Sequence, residues 1–138
     1  MDTGLTVLDV TDPGSIPIPL QMISYPFAAY SHQIWLSEDR NYAYLNDEAD
    51  EDGTYPTTTY IFDVSNPADA QPVGSFTNGN TAVGHNLYVR DNLIFEGNYR
   101  SGLRVFDATE PESPVEVAYF DTYPDNDNAS FNGMWSVY

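Results

Sequence analysis

The chain has 138 residues, 41% hydrophobic and 14% aromatic, a composition that supports a buried core and excludes disorder. Its 21 acidic residues face four arginines and no lysine, for a formal net charge of -17; such a surface repels nucleic acid and anionic lipid and attracts cations, though acidity also serves solubility alone. The absence of cysteine excludes disulfides, thiolate metal sites and cysteine nucleophiles.

In chain order, the first recognisable segment is Gly4-Leu-Thr-Val-Leu-Asp-Val-Thr-Asp-Pro13. It matches Gly102-Leu-Arg-Val-Phe-Asp-Ala-Thr-Glu-Pro111 position by position, and Tyr60-Ile-Phe-Asp-Val-Ser-Asn-Pro67 fits the same frame. A second set falls between these copies. Ser31-His-Gln-Ile-Trp-Leu-Ser37 matches Gly84-His-Asn-Leu-Tyr-Val-Arg90, with Asn132-Gly-Met-Trp-Ser-Val-Tyr138 as a third copy. Phe62 and Phe106 are 44 residues apart, Leu8 and Phe62 54 apart, and the surplus falls largely in one insertion, Asp47 to Thr57.

Within each period the short runs rich in Val, Ile, Tyr, Phe and Trp, bounded by Gly, Pro, Asn or Asp, read as four strands. Residues 1–30 supply the last two strands of a partial unit. Residues 31–80 hold a complete unit, with strands at Gln33–Ser37, Tyr42–Asn46, Thr59–Val64 and Val73–Phe76. Residues 81–124 hold another, at His85–Val89, Leu93–Gly97, Leu103–Ala108 and Val115–Asp121, and residues 125–138 add an acidic loop and one further strand. No window free of Pro, Gly and β-branched interruption is long enough for a helix, and no run reaches the roughly 18 apolar residues of a membrane span. The N-terminus lacks the basic and apolar regions of a signal peptide. Four short strands recurring every ~40 to 50 residues predict an all-β chain, a β-propeller fragment of four-stranded antiparallel blades, two complete and two partial. A sandwich is the runner-up, but it does not require the repeat. On this reading the remaining blades belong to a longer chain.

The repeats resemble the LVIVD repeat, and the longer stretch is similar to the choice-of-anchor B family of bacterial and archaeal surface propellers. The resemblance is carried by Ser31-His-Gln-Ile-Trp-Leu-Ser-Glu-Asp39 with Leu45-Asn-Asp-Glu48, by His85-Asn-Leu-Tyr-Val89, by Asn98-Tyr-Arg-Ser-Gly-Leu-Arg-Val-Phe-Asp107 and by Phe131-Asn-Gly-Met-Trp135. It implies an extracellular or cell-surface protein whose anchor lies outside these residues, and it implies no established enzyme activity. A non-catalytic scaffold for a protein or glycan ligand is the expectation that follows.

Alternating strand direction sorts the loops of such a unit onto two faces. On one face the start of the first strand lies beside the end of the second. That places Asp47 and Glu48 near His32, and Asn98, Tyr99 and Arg100 near His85. Two roles are open to the imidazoles: binding Zn, Mn or a similar ion together with carboxylate oxygens, or capping loops by bonding backbone groups. The insertion Asn46-Asp-Glu-Ala-Asp-Glu-Asp-Gly53 begins like a calcium loop but lacks the distal Glu. Asp50 and Asp52 there, with Asp125 and Asp127 from the 121–128 loop on the same face, are the calcium candidates; a solvated acidic loop is the alternative. Asp9, Asp63 and Asp107 each open a Pro-containing turn and read as structural. Ser31, His32 and Glu48 resemble a catalytic triad in composition only, because neighbouring strand residues point to opposite faces. A metal-assisted hydrolase or lyase built on His32, His85 and Glu48 is the enzymatic alternative.

Overall fold

The computed structural model describes residues 4–49 and 54–138. The short apolar runs form ten strands: β1 (Leu5–Asp9), β2 (Ile18–Ile23), β3 (Ser31–Leu36), β4 (Tyr42–Asp47), β5 (Thr58–Asp63), β6 (Gln71–Thr77), β7 (Asn86–Arg90), β8 (Leu93–Gly97), β9 (Leu103–Asp107) and β10 (Val115–Phe120). One 3-10 turn among the described residues, Pro67–Asp69, is capped by Asn66, whose side chain accepts from the Ala68 N–H. All pairing between strands is antiparallel. The sheets are β1-β2, β3-β4-β5-β6 and β7-β8-β9-β10, each in sequence order, and none closes on itself. Every strand predicted in the two complete units is present within two residues at either end. No helix of the described residues is long and apolar enough to cross a membrane.

The three outer hairpins repeat in detail. In each, the register skips one residue of the later strand: Leu20 between the partners of Val7 and Leu8, Val73 between those of Ile61 and Phe62, and Val117 between those of Val105 and Phe106. A bulge bends and twists its strand locally, so the same curvature recurs at Leu8, Phe62 and Phe106, the positions aligned by sequence. The corner that follows is also shared. Asp9 accepts the Thr11 N–H at 2.9 Å, Asp63 the Ser65 N–H at 2.9 Å and Asp107 the Thr109 N–H at 2.8 Å. The hydroxyl and N–H of that second residue hold all three carboxyls below the usual carboxylate range. The structural role expected of these aspartates is the one they have.

Period-2 alternation gives the central sheet two apolar faces. Tyr44, Ile61 and Phe76 pack with Leu87, Val89, Ile94, Phe106 and Ala108 of the third sheet. Ala43, Leu45, Tyr60 and Phe62 pack the other way, with Tyr25 and the partly buried Leu5 and Ile23 beside the first sheet. The runs Tyr42-Ala-Tyr-Leu45 and Tyr60-Ile-Phe62 are therefore continuous in apolarity because both faces are covered.

The inner strands are tied together by side-chain amides. Gln33 of β3 donates to Leu87 O (3.0 Å) and accepts from Leu87 N–H (2.8 Å) on β7. Asn86, its counterpart on β7, donates to Trp135 O at 3.1 Å, and Trp135 is the residue aligned with Leu87 in the third copy. The 132–138 run thus sits beside β7 as β7 sits beside β3. It forms only an isolated bridge, Tyr99 with Met134, rather than the expected strand, because no ladder of partners flanks it among the described residues. Gly133 permits that bridge: at φ 95° a Cβ there would lie 2.3 Å from Tyr99 O.

A carboxyl group is buried between the two four-stranded sheets. Glu96 on β8 is 1% exposed; it accepts from the Thr59 hydroxyl on β5 (2.5 Å) and from Asn98 Nδ2 (2.7 Å). Burial pushes its carboxyl above the usual range, against the effect of those two bonds. A raised folded-state pKa means that this group favours the fold fully at pH values below its ordinary 4.5, and that the contribution is lost as pH rises through the folded value. Glu96→Gln keeps the shape without the charge. Its urea midpoint is expected to exceed that of the parent chain at pH 8 and to converge with it at pH 4. Phe106→Ala empties the centre of the inter-sheet core and should cost about 3–5 kcal/mol in the same assay, a large part of the roughly 5–15 kcal/mol of a whole domain.

Candidate functional site

The histidines meet where the two four-stranded sheets begin. On β3, Ser31 pairs with Asp47 and Gln33 with Asn46, so His32 is an extra residue in the ladder. Such a bulge re-aims a side chain, and the His32 ring lies on that of His85, with centroids 4.4 Å apart and planes 21° apart. His85 holds the equivalent place just before β7: Asn86 pairs with Gly97, and the His85 N–H goes to Asn98 Oδ1 at 3.2 Å. Ser31 Oγ turns away to accept the Gly4 N–H (2.8 Å) and to share a hydrogen bond with the Tyr25 hydroxyl (2.7 Å), so no triad forms.

Glu48, the residue after β4, bridges the rings. Its Oε2 lies 3.3 Å from His32 Nδ1 and its Oε1 3.4 Å from His85 Nε2. The Tyr99 hydroxyl donates to the same Oε1 at 2.8 Å. Burial, reinforced by that bond to a carboxylate, raises the Tyr99 phenol and keeps it protonated as a donor. One ligand atom from each of His32, Glu48 and His85 falls within 4.8 Å of the others. A tetrahedral ion with bonds of about 2.0–2.2 Å sets its ligand atoms roughly 3.3–3.6 Å apart; each imidazole lies at that distance from a different oxygen of Glu48.

The protonation of His85 follows from its partners. Nδ1 lies 2.5 Å from the Trp135 carbonyl oxygen, which can only accept, and 2.8 Å from the Asn86 amide nitrogen; the carbonyl at Nδ1 together with the indole donor at Nε2 places the proton on Nδ1. Nε2 accepts the Trp135 indole N–H at 3.1 Å and so presents a lone pair. Burial lowers the His85 pKa, although the Trp135 bond and the Glu48 charge act in the opposite sense. The ring is thus neutral, with its one lone pair at Nε2 taken by the Trp135 indole N–H and Glu48 Oε1 3.4 Å away.

The other expected site residues have different work. Asp47 is wholly buried, and its two oxygens accept from the Tyr25 hydroxyl (2.6 Å) and from the N–H groups of Ala29 (2.8 Å), Tyr30 (2.8 Å) and Ala49 (3.0 Å). It anchors the 24–30 crossing that leads into β3, as Asn98 anchors the entry to β7. Arg100 points to the 121–132 loop: it donates to Asn126 Oδ1 (2.6 Å) and Asn132 Oδ1 (2.7 Å) and lies over the Tyr123 ring. Asp125 and Asp127 lie in that loop and join no group of three ligands among the described residues. Asp50 and Asp52 lie outside the described residues.

Trp135 is the participant that sequence reasoning did not place at the site. The alignment of Trp135 with Leu87 carried the signal, since the strand-to-strand contact made by Gln33 had only to recur one unit later. Elsewhere, a cavity of about 600 Å³ is walled by Tyr25, Phe27, Tyr55, Tyr60 and Pro72, with no histidine or carboxylate in its lining among the described residues. Compared with known proteins, the chain matches no family model and no curated sequence.

Asp47→Ala leaves three backbone N–H groups without their acceptor and leaves the Tyr25 hydroxyl to its contact with Ser31. The expected result is a loss of about 2–4 kcal/mol in urea unfolding and faster hydrogen exchange at the Ala29, Tyr30 and Ala49 amides.

Proposed function

We propose that this chain is part of a β-propeller of the LVIVD-repeat, choice-of-anchor B kind, a non-catalytic binding scaffold that holds a divalent cation through His32, Glu48 and His85. The observation that carries the cation reading is the convergence of two imidazoles from adjacent sheets on one carboxylate, at 3.3 and 3.4 Å. Nitrogen-rich donor sets of this kind suit zinc and its neighbours rather than calcium, which takes six to eight oxygens. The propeller reading is supported by the recurring four-stranded sheets, by the shared bulge and aspartate corner, and by the amide tie between successive inner strands. Exposed apolar residues on the outermost strands, among them Ile18 and Met22 on β2 and Val115 and Tyr119 on β10, suit further blades on either side. The extracellular setting and a protein or glycan partner rest on the family resemblance alone.

One feature favours the enzymatic alternative: a two-histidine, one-glutamate set leaves a fourth zinc position open for water or substrate. Turnover of activated ester or phosphoester substrates by the zinc-loaded chain, abolished in Glu48→Gln, would establish it.

The cation reading predicts one zinc per chain in a calorimetric titration at pH 7.5. His32→Ala and His85→Ala should each weaken binding at least ~100-fold, more than the effect of removing an outer partner of a ligand. Affinity should fall as pH drops below about 6, because protons compete for imidazole lone pairs. Absence of zinc-dependent heat, or affinity unchanged in both variants, would overturn the reading.

A further inference from the structure

The lone pair of His85 Nε2 faces two groups at once. The Trp135 indole N–H reaches it at 3.1 Å and Glu48 Oε1 lies 3.4 Å away. A cation held by His32, Glu48 and His85 needs that lone pair. An indole N–H is a donor only and cannot serve as a ligand. The indole and the cation therefore exclude each other at Nε2.

The remaining contacts of Trp135 do not share this conflict. Its backbone carbonyl is bonded to His85 Nδ1 (2.5 Å) and to Asn86 Nδ2 (3.1 Å), on the opposite side of the imidazole. A carbonyl bonded to the distal N–H of a ligating histidine orients the ring and raises its basicity. The side chain is 69% exposed, with its ring centroid 5.9 Å from that of His85. Moving the indole into solvent thus breaks its hydrogen bonds to His85 Nε2 and to the Tyr99 hydroxyl and a loose ring contact, without opening a buried core, while the carbonyl stays in place.

We propose that Trp135 gates the cation site: in the cation-free chain its indole N–H occupies the ligand lone pair of His85, and a zinc-like ion binds by displacing it, while the Trp135 carbonyl continues to hold the imidazole. Loading is thereby coupled to the 131–138 segment, the run seated beside β7, so that the ion changes the surface this segment presents. The inference rests on the cation reading above.

The test uses zinc alone, which neither absorbs in the visible nor undergoes redox chemistry, and a Trp35→Phe background in which Trp135 is the remaining tryptophan. Trp35 is partly exposed and outside the site. Zinc should shift Trp135 emission with a midpoint equal to the calorimetric dissociation constant. Trp135→Phe, which removes the competing donor and keeps the backbone carbonyl, should bind zinc roughly 2- to 10-fold more tightly, the worth of one hydrogen bond. Zinc-dependent heat with unmoved Trp135 emission, or with equal or weaker affinity in Trp135→Phe, would overturn the gate and leave the cation site standing. No zinc-dependent heat in either protein would overturn both.

Discussion

The architecture depends on covering both faces of a sheet. Alternation along β4 and β5 gives the central sheet apolar side chains on each side, and neither face can be left to water. Sheets packed on both sides satisfy that requirement and make the structure a face-to-face stack. Stacking also brings the first strand of each four-stranded sheet beside that of the next, where the Gln33 and Asn86 amides bond the neighbouring backbone and fix its position. The proximity of His32 and His85 is a consequence of this arrangement and of the Gln33–Leu87 contact beside them.

Repetition supplies the positions, and divergence supplies the chemistry. At the residue that follows the second strand's anchor, the central sheet has Glu48 and the third has Tyr99. A carboxylate and a phenol at equivalent positions form a donor–acceptor pair across the junction, and the carboxylate lies between two imidazoles. In the third copy of the inner-strand segment Gly133 replaces histidine, where a close approach to the Tyr99 backbone leaves no room for a Cβ. The combination of two histidines and a glutamate therefore exists at one junction among the described residues. Asp47 and Asn98 occupy a further matched pair of positions, and both spend their oxygens on backbone N–H groups. Their burial explains why residues adjacent to the site contribute its rigidity and not its ligands.

The buried polar groups divide by the company they keep. Glu96 lies between sheets, bonded to Thr59 from one and Asn98 from the other, and its environment disfavours charge. Glu48 lies at the edge of the stack, where a tyrosine hydroxyl and two imidazoles surround it. Two carboxylates on neighbouring units thus sit in different surroundings, Glu96 enclosed between sheets and Glu48 at their edge beside two imidazoles.

The eight strands of the complete units, the antiparallel order within them and the aspartate corners were legible in the residues, because short-range alternation, turn chemistry and internal repetition act over a few positions. The nearness of Glu48 to His32 was legible for the same reason, since both belong to one hairpin. The fate of the 132–138 run was not, because strand-like composition forms a ladder only where partners flank it. Arg100 was expected beside His85 but turns to the 121–132 loop, a choice made by asparagine oxygens 26 and 32 residues away. By itself the sequence determined the repeating β units and the residue types gathered at one end of them. Tertiary structure alone decided that His32 and His85 share Glu48 and that Trp135 closes over the second imidazole, since those contacts cross from one sheet to the next and depend on how the sheets stack.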